Sequence, residues 1–217
     1  MIEGHFIVIE GIDGSGTTTH CSLLAERLNK KGLPVHLTRE PSDGPVGVLI
    51  RQILTGRVVV PGRNGARPPT WATMAALFAA DRLDHLEAEI LPNLMDGVTV
   101  ICDRYDYSSV AYQTVSSGGG EEVTNWVREL NRRARRPDLT IVLDVTADVA
   151  KDRRGSRSGS PELYEVEAMQ TPLSSFYSKI DELFPDDRIR YIDSNRDIEL
   201  VAEGIWSEVA ALRGESL

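Results

Sequence analysis

Residues 5–19 read His5-Phe6-Ile7-Val8-Ile9-Glu10-Gly11-Ile12-Asp13-Gly14-Ser15-Gly16-Thr17-Thr18-Thr19, and no other stretch carries more structural information. The apolar run over 5–10 predicts a buried strand, and the glycines that follow predict a tight turn. A helix over 18–31 comes next, with Leu23, Leu24 and Leu28 at helical spacing and Gly32 as its stop. The turn approximates a phosphate-binding loop, whose pattern is glycine, four residues, glycine, lysine, then Ser/Thr. Gly11, Gly16 and the hydroxyl of Thr18 fit; Thr17 stands where the lysine belongs. Such glycines let backbone N–H groups converge on an anion, and the helix N-terminus adds partial positive charge. A glycine-rich strand-to-helix turn that binds nothing has the same outline.

Outward from this unit, strands and helices alternate. Further strands are predicted over 34–38, 98–102, 139–145 and 188–192. Helices are predicted over 46–54, 71–91, 107–115, 121–134, from 147 to 153, mostly over 162–184, and over 198–212. Pro92 and Gly97 end the long third helix, 56–70 is a surface loop, and 155–161 is a Gly/Ser loop. Strands separated by helices imply parallel βαβ units, hence one α/β domain over 1–217 with a five-stranded parallel sheet and helices on both faces. Ligands of such sheets lie beyond the carboxyl ends of the strands, where Glu10, Arg39, Asp103 and Asp144 fall.

The chain has 217 residues, 41% of them hydrophobic and 26% charged, with a net charge of −9. That field disfavours a protein that coats nucleic acid or an anionic membrane. The cysteines Cys21 and Cys102 are too few for a disulfide framework and read as small core residues. No apolar run is long enough to span a membrane and the N-terminus does not resemble a signal peptide, so the expectation is a cytoplasmic protein. The four histidines form no cluster. Asn29-Lys30-Lys31-Gly32 fails a guanine-recognition pattern, and Asp144 is followed by Val145 instead of the glutamate of a motor-type ATPase.

Several residues of the expected crevice have two readings. Asp103-Arg104 after the third strand is either an ion pair, or a metal-supporting carboxylate beside a phosphate grip; Arg39-Glu40 after the second strand is similar. Phe78 and Arg82, at i and i+4, are either a core ring beside a surface cation or a base-stacking and edge-bonding pair. Arg153, Arg154 and Arg157 are either a solvated basic loop or a set of phosphate ligands.

Five blocks resemble the thymidylate (dTMP) kinases, in that family's order. They are Phe6 through Gly16, Thr38-Arg39-Glu40-Pro41, Leu77-Phe78-Ala79-Ala80-Asp81-Arg82, Asp103-Arg104-Tyr105 with Ala111-Tyr112-Gln113, and Pro137 through Val145. The resemblance implies a three-layer P-loop kinase fold with a short lid at about 153–162, and transfer of the γ-phosphoryl of ATP to dTMP with Mg²⁺. It implies that Gly11, Gly14, Ser15, Gly16, Thr17, Thr18 and Thr19 hold the ATP phosphates, with Arg154 beside them. Thr18, Asp103 and Glu165 would serve Mg²⁺. Asp13 would lie near the acceptor phosphate and sugar, and Arg39 and Arg104 would hold that phosphate. Phe78 would stack on the base, Arg82 bond its edge and Ser109 reach it. Tyr112 would lie against the deoxyribose, with Gln113 and Tyr164 close by. A homodimer is implied as well.

Thr17 removes a cation from this scheme. The lid arginines are the candidate replacements, Arg157 first, then Arg153 and Arg154, with Arg153 alternatively on the adenine. Ser42-Asp43-Gly44 and 114–120 also depart from the family pattern, which leaves open a kinase for another nucleoside or nucleoside monophosphate. Thr17 leaves open a nucleotide-binding relative without turnover.

Overall fold

The computed structural model describes residues 3–155, 163, 164 and 166–214. Arg157, Glu165 and most of the expected lid lie outside the described residues.

Five parallel strands form the central sheet: β1 (Phe6–Glu10), β2 (Val35–Arg39), β5 (Thr99–Asp103), β6 (Leu139–Asp144) and β7 (Ile189–Asp193), in the order β2-β5-β1-β6-β7. β1 is buried along its whole length, which is why it reads as an unbroken apolar run. Its alternate residues serve two cores. Ile7 and Ile9 pack with Leu24 and Leu28 of α1 (Thr17–Lys30) and with Ile205 and Val209 of α10 (Ile198–Arg213). Phe6 and Val8 face Leu86, Ile90 and Leu94 on the opposite side. A third cluster joins Tyr107 and Ala111 of α5 (Asp106–Ser116), Ala150 of α7 (Ala147–Gly155) and Leu173 and Tyr177 of α8 (Glu167–Tyr177). Helices thus cover both faces, as the strand spacing predicts. No helix among the described residues is long and apolar enough to cross a membrane.

Three expectations are corrected. The segment 56–70 is not all loop: β3 (Val60–Gly62) and β4 (Gly65–Arg67) make a small antiparallel hairpin. Three-residue strands containing Pro61 and two glycines offer no alternation to read. The helix from Trp71 does not end at Pro92. α3 (Trp71–His85) passes through a π-helical turn (Leu86–Ile90) into α4 (Leu91–Met95). Pro92 comes directly after that turn, where the wider i→i−5 pattern has already broken the regular i→i−4 ladder and its missing N–H is accommodated. Finally, α6 (Glu121–Leu130) stops short of 134. The mostly helical expectation over 162–184 holds, with α8 followed by a four-residue α9 (Ile180–Leu183). α2 (Pro45–Leu54) completes the set and lies against α3.

Candidate active site

Because β2 lies beyond β5, the connections leaving β1 and β5 open on a common crevice at the carboxyl edge. The register aligns Asp103 with both Ile9 and Arg39. In the phosphate-binding loop, Ser15 N–H donates to the Ile12 carbonyl, and Gly16, with φ 98°, caps α1 in a left-handed conformation. Gly14 has φ 91°, and a Cβ there would lie 2.4 Å from the Ala150 carbonyl oxygen. α7 therefore leans directly on the loop. Thr17 is buried as the first helical residue, and Thr18 and Thr19 are exposed.

Arg104 follows β5 at φ 69°, which costs a non-glycine residue roughly 1–2 kcal/mol. The strained turn aims its guanidinium back over the loop. There it donates to the Gly11 carbonyl at 2.8 Å and to Asp13 Oδ1 at 2.8 Å. Tyr112 Oη donates to the other Asp13 oxygen. Burial opposes the Arg104 charge, but Tyr112 and Asp13 outweigh it and hold the guanidinium well above its usual range. Arg39 is exposed and bonds Asp43 at 3.1 Å.

A cleft of about 350 Å³ joins these residues to the acceptor candidates. Asp13, Thr18, Arg39, Arg104, Phe78, Arg82, Ser109, Tyr112, Gln113 and Tyr164 all line it. The Tyr112 and Tyr164 rings meet edge-on at 5.5 Å, and Gln113 Nε2 donates to Tyr164 Oη. Arg82 is only 1% exposed, and its fork is largely engaged: by Glu40, by Ser109 Oγ at 3.0 Å and by Asn131 Oδ1. Three of its five N–H hydrogens are thereby used, leaving one on Nη1 and the buried Nε–H for another partner. Tyr105 Oη and Gln113 Oε1, of two other residues lining it, are likewise buried and have no partner among the described residues.

Residues beyond the sequence reading complete the site. Glu40 ties Arg82 to His85, whose Nε2 also meets Thr38 Oγ1 at 2.8 Å. Asp81 holds Ser42 through both its backbone N–H and its hydroxyl, and Arg51 bonds the carbonyls of Pro41 and Ser42. Glu40, expected as a partner or neighbour of Arg39, pairs with Arg82 instead, while Ser42 and Asp81 stand beside or inside the family motifs as polar residues with no expected role. Asn131 and Arg51 gave no signal. Asp144 does not line the cleft.

Thr18 Oγ1 donates to Asp103 Oδ2 at 2.5 Å, while Asp103 Oδ1 is buried with no partner among the described residues. A hydroxyl next to an orphaned carboxylate oxygen is a donor set that fits a hard divalent cation. Among the lid arginines, Arg154 donates to the Asp13 backbone carbonyl and to Gln170 Oε1, and Arg153 reaches Ser194 Oγ at 3.4 Å. Ser194 Oγ in turn donates to the Ser15 carbonyl.

A family model described as thymidylate kinase matches residues 9–205. A Pyrococcus horikoshii protein named "Probable thymidylate kinase" is 43% identical over 211 residues, covering 97% of this chain and 96% of its own length. Proteins named thymidylate kinase from Thermomicrobium roseum and Alkalilimnicola ehrlichii are 37% and 34% identical, covering 94% and 97% of this chain and 93% and 94% of their own.

Proposed function

The chain belongs to the thymidylate kinase family, and from that premise we propose that it transfers the γ-phosphoryl group of ATP to dTMP, giving dTDP. The observation that carries the reading is a cleft whose walls bring together Asp13 of the phosphate loop, Thr18, Arg39 and Arg104 with Phe78, Arg82 and Ser109. Phosphoryl transfer is mostly positioning and charge neutralisation, and each part has a residue here.

The loop from Gly11 to Gly16 and the start of α1 cradle the ATP phosphates, and Arg104 and Arg39 grip the phosphate of dTMP. The Arg104 fork, now on Asp13, exchanges that carboxylate for phosphate oxygens, which suit the same forked geometry. Phe78 offers its face to thymine, and Arg82 and Ser109, which line the same cleft, serve its edge. Tyr112 lies where a ribose 2′-hydroxyl would crowd it. Thr18 and Asp103 would hold Mg²⁺, which when bound neutralises charge on the transferring phosphates. Arg154, already seated on the carbonyl of Asp13, is the described cation best placed to take over from the lysine that Thr17 replaces. A homodimer belongs to the same reading.

The test is ADP release from ATP and Mg²⁺ with dTMP, dUMP, thymidine or no acceptor in parallel. Turnover of about 1 s⁻¹ or more with dTMP is the expected result. Turnover with another acceptor only would shift the specificity. Binding of dTMP without turnover would make the chain a nucleotide-binding relative, the reading that Thr17 favours.

A further inference from the structure

Glu10 ends β1, immediately before the phosphate loop, yet it does not line the cleft. It is 0% exposed. Oε1 accepts from the backbone N–H groups of Tyr105 at 2.7 Å and Ser108 at 3.2 Å. Oε2 accepts from Ser108 Oγ at 2.6 Å and Tyr177 Oη at 2.9 Å. Those N–H groups belong to Tyr105, the residue just before α5, and to the first turn of that helix, and the Tyr105 side chain offers no cap. A carboxylate from another strand therefore caps this helix across the sheet.

The same turn carries Arg104 in its strained conformation. On one side the Arg104 N–H is held by the Ile9 carbonyl, and on the other the next residue is held by Glu10. Ser108 Oγ, fixed by Glu10, also lies 3.3 Å from Arg104 Nη1. A strained residue persists only when its surroundings over-determine it.

We propose that Glu10 is the positioning residue that holds Arg104 in its gripping orientation, by tying the strand before the phosphate loop to the capless end of α5. The proposal rests on the reading of the cleft as a dTMP site. Burial lifts the Glu10 carboxyl from 4.5 to about 7, against the pull of Arg104, Ser108, Tyr105 and Tyr177. The other titratable groups near it, Cys21, Cys102 and Tyr177, are kept neutral by burial. Glu10 is thus the group of this cluster that changes charge near neutrality.

The test uses the full chain, Glu10→Gln and Tyr177→Phe, with melting curves to confirm folding. Steady-state kinetics for dTMP and ATP across pH are paired with an NMR titration of the Tyr105 and Ser108 amides without nucleotide. In the wild type both amides titrate together with an acid limb in kcat/KM for dTMP. Tyr177→Phe removes a bond to the carboxylate form, so it moves both midpoints to higher pH. Glu10→Gln abolishes both and raises KM for dTMP about tenfold while leaving KM for ATP near its original value. A folded Glu10→Gln protein with unchanged KM for dTMP, or with both KM values raised alike, overturns the proposal, as do amides that do not titrate. A wild type inert toward dTMP would sink the acceptor reading instead, and the amide titration would still decide whether the tie exists.

Discussion

Replacing Glu40 by Met strips a buried guanidinium of the carboxylate that touches it. Arg82 and Glu40 have side chains just 1% and 2% exposed, and their contact is charge-assisted. Burial disfavours the Arg82 charge, but Glu40 and Asp106 outweigh it and raise the guanidinium above its usual range, so it stays charged throughout. In Glu40→Met that charge keeps only the neutral oxygens of Asn131 and Ser109 as hydrogen-bond partners. Removing one partner of a buried pair costs about 3–5 kcal/mol. For a chain of this length that corresponds to a fall in Tm of roughly 6–20 °C. Pairing Glu40→Met with Arg82→Met removes both charges and restores at least half of the loss, although His85, Asn131 and Ser109 each lose a partner. Urea unfolding of the wild type, both single variants and the double variant measures the coupling. A loss below about 1 kcal/mol in Glu40→Met, or a double variant whose loss equals the sum of the singles, would refute the reasoning.

Three further outcomes are expected. Arg154→Gln lowers kcat by on the order of 10³, as for the loss of a cation acting on a transferring phosphoryl group, and adding Thr17→Lys recovers part of that; single-turnover kinetics check both. The Glu10 carboxyl has a raised folded-state pKa, so the native state binds more protons than the unfolded chain between pH 4.5 and about 7. Stability therefore falls as pH rises through that window, by up to about 3 kcal/mol relative to Glu10→Gln, and denaturant midpoints across pH reveal it. Gly14→Ala combines left-handed strain of about 1–2 kcal/mol with a clash on the Ala150 carbonyl. It weakens ATP binding more than dTMP binding, as calorimetry with each nucleotide would show.

The sheet and its order of strands and helices were legible because β1, β5 and β6 are buried on both faces, so their apolar runs are short, continuous and bounded by turns. Most cleft residues were legible for a different reason: Asp13, Arg39, Asp103 and Arg104 fall at or just beyond strand ends, where a parallel sheet presents its ligands. What escaped was set by tertiary contact. Asn131 lies just past the end of α6 and meets Arg82 only because two helices pack together. Arg51 braces a loop across a helix face, and nothing local distinguishes it from any other surface arginine. The same holds for Glu10, whose acidity in an apolar strand was visible but whose partners lie about a hundred residues away.

The π-helical turn at Leu86–Ile90 has an angular meaning. Each residue advances a helix by about 100°. On the sheet side of the rod, Leu86, Ile90 and Leu94 pack against Phe6 and Val8, while the half before the turn carries Phe78 and Arg82 into the cleft. Because its hydrogen bonds reach one residue further than those of an α-helix, the turn takes up one extra residue in a single wider turn, and the two halves keep a common phase. Deleting a residue inside it would restore a regular helix with the apolar stripe still on the sheet and Phe78 and Arg82 still in the cleft. Deleting a residue between Arg82 and the turn would instead rotate everything before it by about 100°, swinging Phe78 and Arg82 away from the cleft. The irregular turn works like slack taken up in a rod: it absorbs a residue so that both ends deliver their side chains at the angle they need.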